Sequence, residues 1–270
     1  KIETFYVRRM KEEVLKDHLP NIHFHHMEVE LSHEQLKEYT YYIERKKQKE
    51  MHHLAILPRL FGICAHPSLT SANAILPTFE EKPYPKAKKL FELLDEIKAR
   101  GEKTVVFAKW RKINRWLQDE IEARYNICAP IINGEHITDS RQRMKTIENF
   151  SKEPGFGVLV LAPRSAGLGL NITAANHVIH FTREWNPAIE NQATDRCYRR
   201  GQQKPVHVYT LTSVVSAGER KEITVEEILA NILDKKRELM RDFVVPMGGF
   251  GASGKEIWQG ASLGRQDIQG

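Results

Sequence analysis

The sequence predicts an α/β fold in which a largely parallel sheet is flanked by helices. Short apolar runs at 103–109, 158–162 and 178–181 are too short for ordinary helices and predict buried strands. Longer stretches with helical spacing of apolar residues separate such runs, and this alternation is typical of parallel sheets. With 270 residues, 41% of them hydrophobic, the chain can bury one large core with a smaller attachment.

The N-terminal third is predicted to hold one strand and two helices. Residues 22–31 include a β-favouring run that ends at Ser32, and Gln35 three places later completes a capping box for a helix over 33–51. The remaining segments are a helix over 52–64 and a loop, rich in Ser, Thr, Asn and Pro, over 68–85.

From about residue 86 the predicted strands and helices alternate without a break. Gly101 ends the first of these helices, Pro187 opens another that has no internal glycine, and Thr224 caps the last. The predicted helices cover 86–100, 113–125, 140–150, 187–200 and 224–242, and the predicted strands cover 103–109, 127–133, 158–162, 178–181 and 206–211. We therefore expect about five core strands.

Charge and cysteine content narrow the class of protein. The net charge of +6 and pI of about 9.1 suit a polyanionic partner, although such a surplus is equally common in proteins without one. No apolar run approaches the length of a membrane span. The opening Lys-Ile-Glu-Thr-Phe has neither an initiator methionine nor signal-peptide character, so we expect an excised piece of a longer protein. Cys64, Cys128 and Cys197 are widely spaced, which predicts reduced thiols in an intracellular protein.

The histidines and the cysteine of the N-terminal third do not predict a metal site. They are His23, His25, His26, His52, His53, Cys64 and His66. Tetrahedral zinc needs four placed ligands, and no CxxC or HExxH pair supplies the usual anchor. The sequence therefore predicts no metal ligand.

Three polar side chains of the helix predicted over 187–200 carry the main chemical signal. Gln192, Arg196 and Arg199 are spaced by four and three residues, which would place them on one helical face. Two guanidiniums that stay charged suit a polyphosphate whose charge grows during transfer. A solvated basic helix face is the alternative for an arbitrary Arg-x-x-Arg.

Longer motifs around these residues resemble a known family. Residues 165–171 read SAGLGLN, 185–187 read WNP, and 192–202 read QATDRCYRRGQ. In this order and near this spacing they resemble motifs V and VI of the Swi/Snf-type helicase-like ATPases of superfamily two. The run KTVVFAKW at 103–110 resembles motif IV, and the segment from Thr224 resembles the closing motif of the family. The resemblance covers roughly residues 5 to 240.

The resemblance implies a fold and a division of the chain. Family members are ATP-driven translocases on double-stranded DNA, built from two RecA-like lobes of the P-loop NTPase type that clasp ATP and DNA between them. The expected division is an inter-lobe linker and strand at 1–31, a helical protrusion and loop at 32–85, the second RecA-like lobe at 86–222, a C-terminal brace helix at 223–245 and a flexible Gly-rich tail at 246–270. Removing the brace helix is expected to alter regulation more than folding.

The resemblance also implies roles on the nucleotide side. Arg196 and Arg199 would be arginine fingers that reach ATP on the other lobe, with Gln192 orienting them. The loop that couples nucleotide to DNA would contain Gly167, Gly169 and Asn171, and further nucleotide-side residues would be Asp195, Gly201 and Gln202. ATP and Mg²⁺ would be bound mainly by the first lobe, because the chain has neither a phosphate-binding loop nor a DEAH-like run. The near match GFGASGKE at 249–256 has Glu256 where a P-loop needs Ser or Thr.

Residues that follow strand ends are the candidates for DNA contact. Lys109, Arg111 and Lys112 cluster where parallel sheets bind ligands, although a solvated helix start is the alternative. The other candidates are Gly134 and Arg141, which resemble a phosphate-holding motif, Arg164 and Ser165 of motif V, and Trp185. Trp185 either packs in the core with one exposed edge or meets the DNA backbone.

The predicted function is the second motor lobe of a DNA-dependent ATPase that translocates on double-stranded DNA and remodels protein–DNA complexes. The isolated chain would be inactive, and its partners would be duplex DNA, the first RecA-like lobe and a DNA-bound protein, with no membrane. The alternatives are a strand-separating helicase of the same superfamily and a DNA-binding scaffold without catalysis. The expected location is the cytoplasm or nucleoid of a prokaryote, or the nucleus of a eukaryote.

Overall fold

The computed structural model describes residues 19–48, 53–70, 76–82, 84–134, 139–216 and 223–242. Most of the predicted linker and the whole predicted tail, with its near match to a P-loop, lie outside the described residues. All the residues predicted to bind nucleotide or DNA lie inside them.

The centre of the fold is a six-stranded, fully parallel sheet in the order β1-β6-β5-β2-β4-β3. The strands are β1 (Ile22–Glu30), β2 (Lys103–Phe107), β3 (Ile131–Ile132), β4 (Gly157–Leu161), β5 (His177–His180) and β6 (Val206–Val214). The predicted parallel sheet is therefore confirmed. It has six strands because β1 pairs with β6 along its whole length, so the sheet begins at Ile22 and not at residue 86.

Seven helices of the described chain surround the sheet. They are α1 (His33–Lys47), α2 (His53–Ala65), α3 (Pro85–Ala99), α4 (Arg111–Tyr125), α5 (Ser140–Lys152), α6 (Pro187–Thr194) and α7 (Val225–Asp242). Apolar side chains of α3 and α4 cover one face of the sheet, and those of α5 and α6 cover the other. Short 3₁₀ turns occur at Pro67–Thr70 and Pro163–Leu168.

Local sequence signals set several element boundaries. The Ser32 hydroxyl accepts from the Gln35 amide at 3.2 Å and the Gln35 side chain accepts from the Ser32 amide at 3.1 Å, which is the predicted capping box. Thr224 and Glu227 form a second reciprocal pair at the start of α7. By contrast, the strand predicted over 127–133 is wrong in extent, since only Ile131 and Ile132 pair with β4.

Helix α7 is part of the core. Val225, Ile228, Leu229 and Leu233 pack with the buried residues of α1 and α2 in one apolar cluster. The Tyr39 hydroxyl of α1 also accepts from the Val225 amide at 2.8 Å. Removal of this helix would uncover the apolar side chains that it buries, so from the structure we expect its loss to affect folding as well as regulation.

Four histidine and tyrosine side chains form a stacked row across β1, β6 and β5. His25, Tyr209, His207 and His177 stack at centroid distances between 4.7 and 6.4 Å, and His23 stacks on His207. Burial, together with repulsion from neighbouring histidines and Arg100, lowers the pKa of His25 and of His207. No three His, Cys, Asp or Glu side chains in the described part of the chain are placed to hold a metal ion.

His66 should make the stability of this fold depend on pH. Its ring is buried between Tyr84 and Trp116, and this burial, aided by Lys82, lowers the pKa of His66 from 6.5 to about 4. The unfolded chain therefore binds an extra proton below pH 6.5, so the free energy of unfolding should fall by about 2 kcal/mol between pH 7.5 and 5 from this residue.

Urea unfolding of wild type and His66→Phe at pH 7.5 and 5 measures this contribution. The variant should lose less stability over this interval, whereas His33→Gln, at an exposed histidine, should follow wild type. Equal losses in His66→Phe and wild type would contradict the assignment.

Candidate functional site

A crevice forms where the connections after two neighbouring strands diverge. β2 and β5 lie side by side, but the chain after β2 leads to β3 while the chain after β5 leads to β6 on the opposite side. Because all the strands are parallel, the loops after β2, β3, β4 and β5 lie at one edge of the sheet. Ligands of such sheets bind at this position.

Lys109 and the segment after β5 meet at this crevice. The Lys109 amide donates to the Thr182 hydroxyl at 2.8 Å. Its ammonium lies 4.8 Å from the centre of the Trp185 ring and 3.9 Å from a Glu184 carboxylate oxygen. Burial lowers the pKa of Lys109, Glu184 partly offsets this effect, and Arg164 adds to it.

Trp185 connects the crevice to the apolar cluster of α1, α2 and α7. The ring is half-buried and packs against Phe61 of α2, with ring centres 5.6 Å apart. One side of the ring thus belongs to the apolar cluster of α1, α2 and α7, and the Lys109 ammonium lies over the indole. Such a cation over an indole ring is stabilised by the ring quadrupole.

A buried ion pair that the sequence did not predict fixes the start of α6. Arg183 donates through Nε and Nη2 to the two carboxylate oxygens of Glu190, at 2.8 and 3.2 Å. The same Glu190 accepts from the Glu184 amide at 3.0 Å, and the Asn186 side chain caps α6 by accepting from the Ala188 amide at 2.9 Å. The segment between β5 and α6 is therefore rigidly held.

The helix predicted over 187–200 is wrong in extent, because α6 ends at Thr194. The chain continues in tight turns, in which the Arg196 amide donates to Ala193 O at 3.2 Å. The Arg196 carbonyl does not continue a helical ladder, since it accepts from the Ile172 amide at 2.9 Å. Gln192, Arg196 and Arg199 therefore do not lie on one continuous helical face.

The two arginines of this turn differ in their surroundings. Arg199 is exposed, as are Gln192 and Asp195. Arg196 is partly buried, and its Nε has no hydrogen-bond partner among the described residues. A buried guanidinium N–H without an acceptor is costly unless an anion or another acceptor reaches it.

Gly201 and Gln202 close the turn. Gly201 has φ +102°, which a residue with a side chain rarely adopts. The Gln202 side chain is buried and its amide donates to Ala175 O at 2.9 Å and to Cys197 O at 3.1 Å, while its oxygen accepts from the amides of residues 203 and 204. Each amide hydrogen of Gln202 is thus used within the fold.

The turn after α6, residues 195–202, is called the arginine turn below. The loop after β4 runs from the carboxyl edge of the sheet to this turn. At its start Arg164 is exposed and Ser165 is buried, both within the 3₁₀ turn that also contains Gly167. Farther along, Gly169 has φ +73° and the neighbouring Asn171 is exposed. The Ile172 amide then bonds the Arg196 carbonyl, so the loop and the turn are directly linked.

The remaining candidates for DNA contact also lie after strand ends. Arg111 and Lys112 are exposed in the first turn of α4, Gly134 is exposed two residues after β3, and Arg141 is exposed in the first turn of α5. Asp139 caps that helix by accepting from the Gln142 amide at 3.0 Å. The candidates thus fall into a basic group that follows strand ends at the carboxyl edge and a second group in the turn after α6.

No described helix is both long and apolar enough to cross a membrane.

This fold and site define a RecA-like lobe, and comparisons with known proteins give its family. The family model for the helicase conserved C-terminal domain matches residues 85–201. The chain is 40% identical over 195 residues to the Zorya protein ZorD of Escherichia coli O139:H28, covering 71% of this chain and 17% of ZorD. It is 34% identical over 186 residues to the putative ATP-dependent helicase/translocase YwqA of Bacillus subtilis, covering 69% of this chain and 19% of YwqA.

Two solved structures from Sulfolobus solfataricus share the fold. The SWI2/SNF2 ATPase core in complex with dsDNA is 27% identical with a TM-score of 0.66, covering 94% of this chain and 53% of that chain. The SWI2/SNF2 ATPase C-terminal domain is 26% identical with a TM-score of 0.64, covering 90% of this chain and 99% of that chain. The chain therefore belongs to the Swi/Snf-type helicase-like ATPases of superfamily two, as their C-terminal RecA-like lobe. It spans under one fifth of the two curated relatives.

Proposed function

We propose that this lobe is the second motor half of a DNA-dependent ATPase that translocates on double-stranded DNA and remodels protein–DNA complexes. The observation that carries the proposal is the hydrogen bond between the Ile172 amide and the Arg196 carbonyl. It joins the arginine turn to the loop whose start, at Arg164, lies at the carboxyl edge of the sheet. A nucleotide-sensing turn and a DNA-facing loop are thereby parts of one connected segment.

The arginine turn fits the polyphosphate of ATP held by a partner lobe. Arg199 is exposed, so its guanidinium can donate to phosphate oxygens, and we assign the partly buried Arg196 to the same phosphates. ATP would supply the phosphoanhydride bond whose cleavage drives movement. We assign Gln192 and Asp195 to the same surface, and Gly169 and Asn171 to the coupling loop with Gly167.

Gln202 and Gly201 act on this site through the backbone. Because both amide hydrogens of Gln202 bond to carbonyls of the fold, we assign it the positioning of the turn and not contact with nucleotide. Gly201 permits the reversal that presents Arg199. Mg²⁺ has no cluster of ligands among the described residues, and we assign this lobe no metal ligand.

The basic group at the carboxyl edge fits the phosphates of duplex DNA. We assign Lys109, Arg111, Lys112, Arg141 and Arg164 to phosphate contacts, which position a duplex without reading its sequence. Gly134 would let the backbone approach a strand closely, since no described residue beyond its chain neighbours comes within 4 Å of the place that a Cβ would take there. Ser165 is buried and would hold the loop, while the half-buried Trp185 supports Lys109.

ATP turnover of the full-length protein, measured with and without long duplex DNA, tests this function. We expect strong stimulation by duplex, and essentially no turnover by the 270-residue chain alone, because it supplies only the arginine side of the site. Displacement of a third strand from a triplex would report translocation.

Two outcomes would contradict the proposal. Unwinding of a forked duplex would identify a strand-separating helicase. DNA binding without turnover by the full-length protein would identify a scaffold without catalysis.

A further inference from the structure

Glu184 is a buried carboxylate with too few partners. The side chain is only 4% exposed. One oxygen accepts from the Trp185 amide at 3.0 Å, and the other, Oε2, has no hydrogen-bond partner among the described residues. Buried carboxylates are normally paired and fully hydrogen-bonded, because their desolvation is costly. An incompletely satisfied carboxylate in the crevice therefore calls for a physical explanation.

Lys109 forms a long ion pair with this carboxylate. The distance between the Lys109 ammonium and Glu184 Oε1 is 3.9 Å, which is beyond hydrogen-bonding range, so the attraction is electrostatic only. The lysine side chain is 31% exposed, and an ammonium has three donors. Lys109 is thus held toward Glu184 and Trp185 while it keeps hydrogen-bonding capacity for an acceptor that arrives from solvent.

We propose that Glu184 is a positioning residue that competes with DNA phosphate for Lys109 and so limits the affinity of this lobe for duplex DNA. The inference rests on the proposed function, in which Lys109 contacts phosphate. When the ammonium turns to a phosphate, it leaves a buried carboxylate without its counterion, and this cost reduces the gain from the new contact. When the phosphate leaves, the ammonium returns to the carboxylate.

Competition of this kind suits a motor lobe that must release DNA in every cycle. A lysine that bound phosphate without opposition would lengthen the residence time on DNA, since differences in affinity among variants of one interface arise mainly in the dissociation rate. Glu184 would keep the contact weak enough to be broken at each step.

Duplex binding by wild type, Glu184→Gln, Lys109→Met and the double variant tests the proposal. The 270-residue chain and a labelled 40-base-pair duplex suit fluorescence anisotropy at several salt concentrations. The glutamine keeps the acceptor for the Trp185 amide but removes the charge. We expect Glu184→Gln to bind about three- to tenfold tighter, with a plot of log affinity against log salt steeper by up to about 0.9. With Lys109→Met present, Glu184→Gln should change the affinity less than about twofold.

Glu148→Gln is the matched control. It removes the same charge from an exposed pair with Lys152 at the end of α5. That end lies beside the start of β2, where Lys103 donates to Glu153 O, and hence at the opposite edge of the sheet from the crevice. We expect Glu148→Gln to change duplex affinity less than about twofold. Melting temperatures of all the variants report whether each one is folded.

The outcomes separate the competition for Lys109 from the DNA interface on which it rests. Glu184→Gln could change duplex affinity equally in wild type and in Lys109→Met, or could leave it unchanged. Either result would contradict the proposed competition but not the DNA interface. An absence of measurable duplex binding by wild type would overturn the DNA interface itself.

Discussion

Replacing Arg199 by alanine in the full-length protein is expected to lower duplex-stimulated ATP turnover by about three powers of ten or more. Arg199 is exposed in the turn after α6, and its guanidinium can neutralise charge that develops on a transferring phosphoryl group. The loss should fall on kcat with little change in duplex affinity, because we assign Arg199 to the nucleotide phosphates and not to the phosphates of DNA. Steady-state turnover at saturating duplex, together with anisotropy, measures both quantities.

The adjacent Arg200 provides the control for this prediction. It is also exposed, so Arg200→Ala removes the same charge one residue away. We expect its turnover to stay within about threefold of wild type, since loss of an exposed charge outside the site has little effect. If both variants lost turnover equally, general electrostatics of the turn and not a specific arginine would explain the result. Near wild-type turnover in Arg199→Ala would remove the arginine-finger assignment.

Removing one partner of the buried pair Lys86–Glu226 is expected to have the largest effect on stability. The two side chains are each 1% exposed and lie 2.5 Å apart, joining α3 to α7, and Glu226 also accepts from the Ser213 amide of β6 at 2.7 Å. Glu226→Leu would leave the Lys86 ammonium buried without a counterion. We expect the free energy of unfolding to fall by about 3–5 kcal/mol, as measured by urea denaturation of the 270-residue chain.

The double variant Lys86→Met/Glu226→Leu tests the cause. With neither charge present, most of the lost stability should return, because replacing a whole buried ion pair by apolar groups is often nearly neutral. Glu92→Gln, in the exposed pair with Lys89, should cost less than about 1 kcal/mol. A double variant as unstable as Glu226→Leu would show that packing, and not the uncompensated charge, dominates.

The sequence predicted those parts of the fold that local signals determine. The apolar runs located β2, β4, β5 and β6, while the capping box at Ser32 and the N-cap residue Thr224 located the starts of α1 and α7. The position of β1 in the sheet could not be predicted, because its partner β6 lies far along the chain and nothing in either strand specifies the pairing. Local sequence signals thus predicted the strands and helices but not all of the pairings between strands.

The candidate site shows the same limit. The residue types of the arginine turn were evident from the sequence, but the end of α6 at Thr194 was not. The Arg196 carbonyl, which a longer helix would use within itself, instead accepts from the Ile172 amide, and this residue lies on another segment. The pair Arg183–Glu190 was missed because each charge alone fits a solvated surface. Similarly, nothing in the sequence showed that Lys86 and Glu184 are buried, since burial follows from packing between segments.

The bond between Ile172 and Arg196 has a consequence for protein engineering. The loop after β4 and the arginine turn each lose a hydrogen-bond partner if the other changes its backbone path. Grafting one of them alone from a relative would therefore place a foreign surface against a native one and misalign the guanidinium. A functional chimera must therefore exchange the two segments, residues 162–176 and 187–202, together.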